Sequence, residues 1–151
     1  MRMSISNHVL LTGAVIIGFV LLAGASLAGV YERQAHTAGA ASAGSGMQTV
    51  PPRTFATAIQ SPSIHIIDLR TAEEFASGHI AGAFNIDFYG SDFENKIASL
   101  DRNASYAIYC HSGNRSGKTF AYMRQLGFTH VTELKGGIAA WEGSGYPITT
   151  S

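Results

Sequence analysis

Hydrophobic residues divide the chain into an apolar N-terminal segment, a polar connector and a region of short alternating elements. Residues 9–28 are almost uniformly apolar, residues 29–46 are small or polar without apolar periodicity, and residues 47–151 carry short apolar runs separated by turn residues. In the last region, residues 64–69 are too apolar for a half-exposed strand and fit a strand buried in a parallel sheet. Strands that alternate with helices over this length predict an α/β fold with helices on both faces of the sheet.

The same patterns place the individual elements. The predicted strands lie at residues 48–50, 64–69, 83–86, 106–109 and 130–134, and the predicted helices at residues 53–60, 71–77, 93–100, 116–126 and 138–142. Thr71 is the predicted N-cap of its helix, because Glu74 follows three residues later in a capping-box pattern. Gly127 is the predicted stop of the longest helix, because glycine readily adopts the left-handed conformation at a helix C-terminus.

The apolar segment at residues 9–28 predicts one N-terminal hydrophobic helix. A helix needs about 20 apolar residues to span a bilayer, whereas the apolar part of a signal peptide is about 7–15 residues long. The length therefore favours an uncleaved membrane anchor, while small residues at positions 23–28 leave a cleaved signal peptide open. Both interpretations place the folded region outside the cytoplasm, either anchored on the periplasmic side of a bacterial membrane or secreted or periplasmic after cleavage.

The predicted organisation has four parts: a tail at residues 1–8, the hydrophobic helix at 9–28, a flexible linker at 29–46 and one folded domain at 47–151. The linker is rich in small and polar residues, a composition typical of a flexible tether. No internal repeat is visible in the folded region, so we expect one domain and a monomer.

Composition and charge exclude several classes of function. Ten basic and ten acidic residues balance without a basic block, so nucleic-acid binding is not expected. The single cysteine rules out an internal disulfide and a Cys-rich metal site. Six scattered histidines show no paired ligand spacing, and we therefore predict no metal site.

That cysteine, Cys110, lies where a predicted strand ends and the longest predicted helix is about to begin. Ligands of open α/β sheets bind outside the carboxyl ends of the strands. A helix start also offers free N–H groups and a partial positive charge, which favour a thiolate. Gly113 permits the backbone angles that let successive N–H groups converge on sulfur. The position therefore predicts a reactive thiol.

Three separated stretches resemble a known family. They read IIDLRTAEEFASGHIAGAFNI at 66–86, YCHSGNRS at 109–116 and LKGGIAAWEGSGYPI at 134–148. In this order they make residues 48–148 similar to a single-domain rhodanese, a sulfurtransferase. The resemblance implies a rhodanese-like domain with a five-stranded, mostly parallel sheet flanked by helices. It also implies that Cys110 carries sulfur as a persulfide, without a cofactor, from thiosulfate or a related donor to cyanide or a thiol.

The resemblance also assigns roles to the loop and its surroundings. The predicted substrate-binding residues are those that follow the cysteine: His111, Ser112, Gly113, Asn114, Arg115 and Ser116. Arg115 carries a fixed charge with forked donors, suited to a sulfonate-like group. Asp68, Arg70 and Glu74 match a family pattern, and we expect them to hold the loop by hydrogen bonds and ion pairs rather than to act on substrate.

Two other functions stay open at this point. One is a non-enzymatic sulfane-sulfur carrier or binding module. The other is a cysteine-based phosphatase or arsenate reductase, but those loops have one more residue between cysteine and arginine than the four found here. The shorter loop favours sulfur. Thiol–disulfide exchange is disfavoured, because the chain has no second cysteine to resolve a mixed disulfide.

Overall fold

The computed structural model describes residues 46–150. The predicted tail, the hydrophobic helix at 9–28 and the linker up to residue 45 lie outside the described residues, so the anchor and signal-peptide interpretations both stay predictions. Among the helices of residues 46–150, none combines the length and the apolarity needed to cross a membrane.

Five parallel strands form one sheet. In chain order the strands are β1 (Met47–Val50), β2 (Ile64–Asp68), β3 (Ala83–Asn85), β4 (Ser105–Tyr109) and β5 (Val131–Leu134). Their order across the sheet is β1-β5-β4-β2-β3, with every neighbouring pair parallel. The predicted five-stranded parallel sheet is therefore confirmed. β4, which leads into Cys110, lies at the centre.

Within residues 46–150, four helices connect the strands and a fifth follows the last strand. They are α1 (Pro52–Ala58), α2 (Ala72–Ala76), α3 (Phe93–Ala98), α4 (Asn114–Gln125) and α5 (Gly137–Gly143). Ile97 of α3 and Met123 of α4 pack with Ile108 on one face of the sheet. Phe55 of α1 and Trp141 of α5 pack with Ala107 on the other. Successive residues of β4 point to opposite faces and residues 106–109 are all buried, so helices cover both faces of the sheet, as predicted.

The helix ends follow local rules. The Glu74 N–H donates to the Thr71 side chain at 3.3 Å, and the Thr71 N–H donates to the Glu74 carboxylate at 3.0 Å. This is the predicted capping box. Gly127 adopts the expected left-handed conformation after α4, with φ of 87°. The beginning of α4 differs from the prediction, because the helix begins at Asn114 rather than two residues later.

Candidate active site

Cys110 lies directly after β4, in the loop that leads into α4, and its side chain is almost fully buried. The Gly113 N–H donates to the Cys110 Sγ at 3.1 Å, and the thiol lies 3.6 Å from the Ser116 Oγ. Burial alone would raise the pKa of this thiol. The hydrogen bond that the thiol shares with the Ser116 side chain, together with those from the backbone N–H groups of Ser116, Ser112 and Gly113, outweighs burial, so the pKa is lowered. The structure thus favours a thiolate at the predicted position.

Gly113 gives the loop this shape and explains the early start of α4. It is the N-cap of the helix and adopts a left-handed conformation with φ of 93°. Residues with a Cβ rarely adopt this conformation. The turn points the Gly113 N–H at sulfur within one turn of the α4 N-terminus. The predicted role of this glycine in converging N–H groups therefore agrees with the geometry.

A second helix start holds the same loop from the opposite side. The first-turn N–H groups of Ile138 and Ala139 donate to the carbonyl oxygens of Cys110 and His111, at 2.8 and 3.1 Å. A Cβ on Gly137 would overlap both of these carbonyl groups, so only glycine fits there. The helix predicted at residues 138–142 begins one residue earlier, at Gly137. Sequence reasoning missed its contact with the loop.

Arg115 is engaged by another side chain of the protein. Its two terminal nitrogens donate to the two Glu74 carboxylate oxygens at 2.7 and 2.8 Å. The hydrogen bonds from Arg115 lower the pKa of Glu74 to about 2, and Glu74 in turn raises the pKa of Arg115. The exposed ring of Tyr89 lies 5.7 Å from the guanidinium. Glu74 therefore joins α2 to the first turn of α4. Any substrate that reaches Arg115 finds its guanidinium already paired with a carboxylate.

Asp68 and Arg70 form a buried pair behind this region. The Arg70 Nη2 donates to the Asp68 Oδ2 and to the Gly78 carbonyl oxygen, each at 2.6 Å. Burial works against the charge of Arg70, but the Asp68 hydrogen bond raises its pKa above the ordinary value. These contacts fix the segment from β2 through α2, which is the segment that carries Glu74.

The remaining loop side chains divide into an outer and an inner set. His111, Ser112 and Asn114 are exposed, whereas Ser116 is fully buried beneath the sulfur. A cleft of about 310 Å³ opens beside His111 and is also lined by Glu74 and Glu142. The predicted substrate-binding residues therefore lie together in the loop and the first turn of α4. The outer set is exposed, Gly113 and Arg115 are partly buried, and Ser116 is buried.

Sequence reasoning missed Glu133 on β5. This side chain is only 6% exposed, and it accepts hydrogen bonds from the Ser116 hydroxyl at 2.8 Å and from the Thr49 hydroxyl at 2.7 Å. An acid within a buried four-residue strand is the signal that would have found it. Within residues 46–150, no three His, Cys, Asp or Glu side chains are grouped to hold a metal ion.

A parallel sheet with a thiol at the end of its central strand, held by the N-terminal turn of a helix, defines an α/β protein with a cysteine-centred site at the carboxyl edge of the sheet. A family model described as a rhodanese-like domain matches residues 51–144. The chain belongs to the rhodanese-like family.

Curated relatives carry related names. A thiosulfate sulfurtransferase GlpE of Pseudomonas aeruginosa strain LESB58 is 40% identical over 87 residues, which cover 57% of this chain and 76% of the relative. A sulfurtransferase of Allochromatium vinosum is 35% identical over 83 residues, covering 55% and 76%. A GlpE of Pseudomonas fluorescens is 32% identical over 108 residues, covering 71% and 94%. The chain is accordingly a rhodanese-type sulfurtransferase.

Solved structures share the fold. A rhodanese-related protein from Thermoplasma volcanium superposes with a TM-score of 0.61 at 29% identity, covering 69% of this chain and 99% of that one. The Alr3790 protein from Anabaena gives a TM-score of 0.59 at 27% identity, covering 68% and 82%. The expected rhodanese-like fold is thereby confirmed.

Proposed function

We propose that the chain moves a sulfane sulfur from thiosulfate, or a related anionic donor, to a small thiol or cyanide through a persulfide on Cys110. The observation that carries this proposal is the contact of the Gly113 N–H with the Cys110 sulfur, in a loop that lowers the pKa of the thiol. A thiolate is the nucleophile that attack on a donor sulfur requires.

The reaction has two displacement steps. The Cys110 thiolate attacks the outer sulfur of thiosulfate; a bond forms from Sγ to that sulfur, the donor S–S bond breaks, and sulfite leaves with the bonding electrons. Cyanide or a thiolate then attacks the terminal sulfur of the persulfide. Thiocyanate or a new persulfide leaves, and Cys110 is regenerated as a thiolate. This is covalent, ping-pong catalysis.

The loop supplies the electrostatics for both steps. The N–H groups of Ser112, Gly113 and Ser116 surround the sulfur and stabilise it as an anion before attack and as a leaving group afterwards. Arg115 supports the loop through Glu74. We assign the recognition of an anionic donor to these N–H groups together with the Arg115–Glu74 pair. The cleft beside His111 is the proposed approach for the acceptor.

The test measures thiocyanate formation from thiosulfate and cyanide by the full chain and by Cys110→Ser. We expect many turnovers for the natural chain, one added sulfur atom on Cys110 by intact mass after thiosulfate alone, and neither result for the variant. Thiocyanate formed by the variant at the natural rate would contradict the mechanism. One stoichiometric release of sulfur without turnover would instead support the carrier hypothesis.

We also propose that residues 9–28 hold the domain outside the cytoplasm, as an uncleaved anchor. The support is their length, which matches a bilayer span, and the absence of any charged residue among them. The N-terminal mass of the mature protein from membrane and soluble fractions tests this proposal. A mature N-terminus just after residue 25 or 28 would show a cleaved signal peptide instead.

A further inference from the structure

A chain of hydrogen bonds leads from the reactive sulfur into the sheet. The Cys110 thiol donates to the Ser116 Oγ at 3.6 Å, and the Ser116 hydroxyl donates to the Glu133 Oε1 at 2.8 Å. All three side chains are buried. Both donors point the same way, so the chain runs from the sulfur to a buried carboxylate.

Glu133 differs from the other carboxylates around the site in what holds it. Asp68 and Glu74 are each paired with an arginine. None of the ion pairs formed within residues 46–150 includes Glu133. Its two oxygens accept instead from the hydroxyls of Thr49 and Ser116. Hydroxyl groups satisfy either protonation state of a carboxyl group, because they can donate or accept.

Two acceptors compete for one proton in this arrangement. The Ser116 hydroxyl has a single proton, but both the Cys110 thiolate and the Glu133 carboxylate would accept it. If that proton stabilises the thiolate, the Glu133 Oε1 loses its donor. The arrangement is satisfied when Glu133 takes up a proton and donates it back to the Ser116 Oγ.

We propose that Glu133 accepts the Cys110 thiol proton through Ser116, which makes Glu133 a positioning residue for the reactive thiolate. The Sγ–H bond breaks as an Oγ–H bond forms on Ser116, and the original Ser116 proton moves to the Glu133 Oε1. Proton number and total charge are unchanged. The thiolate therefore forms without release of a proton to solvent.

The same path serves the end of the reaction cycle. When Cys110 leaves the persulfide as a thiolate, the Ser116 hydroxyl donates to it, and the proton on Glu133 returns to restore the resting thiol. This use in turnover rests on the proposed function. The proton path itself does not, because it concerns only the thiol before any donor is bound.

Other titratable groups around the path differ in how they respond to pH. From α2, Glu74 has a pKa of about 2 and stays ionised above pH 4; Arg115 of α4 stays positive throughout. From β1 and α4, the groups that contact Glu133 are hydroxyls, of Thr49 and Ser116. His111 lies next to Cys110 in the chain, so it requires its own control.

The test is the rate of Cys110 alkylation by iodoacetamide between pH 5 and 10 in the full chain and in Glu133→Gln. Glutamine keeps an acceptor for the Ser116 hydroxyl but cannot take the proton. In the natural chain the midpoint reports the first proton lost to solvent by the Cys110–Glu133 pair. We expect the midpoint of the variant to lie about one pH unit higher, which slows alkylation about tenfold at pH values below both midpoints. The limiting rates above the midpoints should agree within about twofold, because the thiolate itself is unchanged.

Two other roles for Glu133 give different results and would overturn the proposal. A purely structural role gives no midpoint shift, or a rate reduced equally at every pH. A role as a nearby negative charge gives a midpoint that falls in Glu133→Gln, because removing a like charge favours the thiolate. Failure of the proposed function gives a separate result. The natural chain would then form no thiocyanate, while its alkylation profile would still differ from that of Glu133→Gln.

Further variants keep the test decisive. Ser116→Ala should shift the midpoint as Glu133→Gln does, and the double variant should shift it no further, because both act on one path. This variant also tests the path if Glu133→Gln does not fold. Thr119→Val is the matched control, since it removes another buried hydroxyl of α4 that bonds only the Arg115 carbonyl oxygen, at 3.0 Å. Its midpoint should equal that of the natural chain, and the Glu133→Gln shift should persist with His111→Asn.

Discussion

The ion pair between α2 and the catalytic loop makes a measurable contribution to stability, which Glu74→Gln removes. Glutamine still serves in a capping box, so the substitution isolates the contact with Arg115. The pKa of Glu74 falls from 4.5 to about 2, and each pKa unit corresponds to about 1.4 kcal/mol, which sets an upper bound of roughly 3 kcal/mol. Because 32% of the Glu74 side chain is exposed, solvent screening reduces the expected loss to about 1–2 kcal/mol.

The pH dependence of this loss follows from the direction of the shift. The folded state lowers the pKa of Glu74, so the ionised form is favoured by folding. The contribution is complete above the unfolded pKa of 4.5 and is lost as pH falls through about 2. We therefore expect the free energy of unfolding of the two proteins to differ by about 1–2 kcal/mol at pH 7 and by about a quarter of that at pH 2.5.

Urea unfolding from pH 7 to pH 2.5 measures this difference, with the fluorescence of the single tryptophan, Trp141, as the signal. Glu73→Gln is the matched control, because it removes a charge from the neighbouring, exposed position without an arginine partner. A difference that stays the same at pH 7 and pH 2.5, or one below about 0.5 kcal/mol at pH 7, would refute the reasoning from the pKa of Glu74.

Three other substitutions test separate contacts. Arg115→Ala should lower kcat/KM for thiosulfate by about 10- to 150-fold while Cys110 stays alkylatable, because one charge-assisted contact is worth about 1.5–3 kcal/mol. Unchanged steady-state kinetics would remove Arg115 from donor recognition. Gly137→Ala should destabilise the fold by about 1–3 kcal/mol in urea unfolding, because the new Cβ overlaps the Cys110 and His111 carbonyls. Gly143→Ala in the same helix places its Cβ in open space and should leave the free energy of unfolding unchanged. Equal losses in the two variants would contradict the steric explanation. Tyr109→Phe should cost about 1–3 kcal/mol in thermal unfolding by leaving the buried Ile80 N–H without its 3.0 Å acceptor, yet leave the alkylation rate of Cys110 unchanged.

Local sequence patterns predicted most of the helix ends and strands of the fold. The capping box at Thr71 and the stop at Gly127 depend on residues within one helical turn of each other, so the sequence displays both partners together. The burial of β4 is likewise visible as a run of apolar residues. The helix α4 begins at Asn114, earlier than predicted, because Gly113 is its N-cap in a left-handed conformation. Glycine has no capping side chain, so the sequence does not mark this N-cap.

The side-chain pairs at the site could not be predicted, because their members are far apart in the sequence. Arg115 and Glu74 are 41 residues apart, and Ser116 and Glu133 are 17 apart. Which charge meets which partner depends on the strand order, which brings β5 beside β4 and places α4 against both. The sequence predicted a structural role for Glu74 and an anion-binding role for Arg115. It contained no local sign that each was the partner of the other.

The double attachment of the loop also restricts its length. The N–H groups at the start of α5 meet the carbonyls of residues 110 and 111, while the start of α4 meets the sulfur of residue 110. An inserted residue would move one of these anchor points relative to the other by about 3.5 Å, further than a hydrogen bond stretches. Enlarging the cradle for a bulkier oxyanion therefore requires rebuilding both helix starts together.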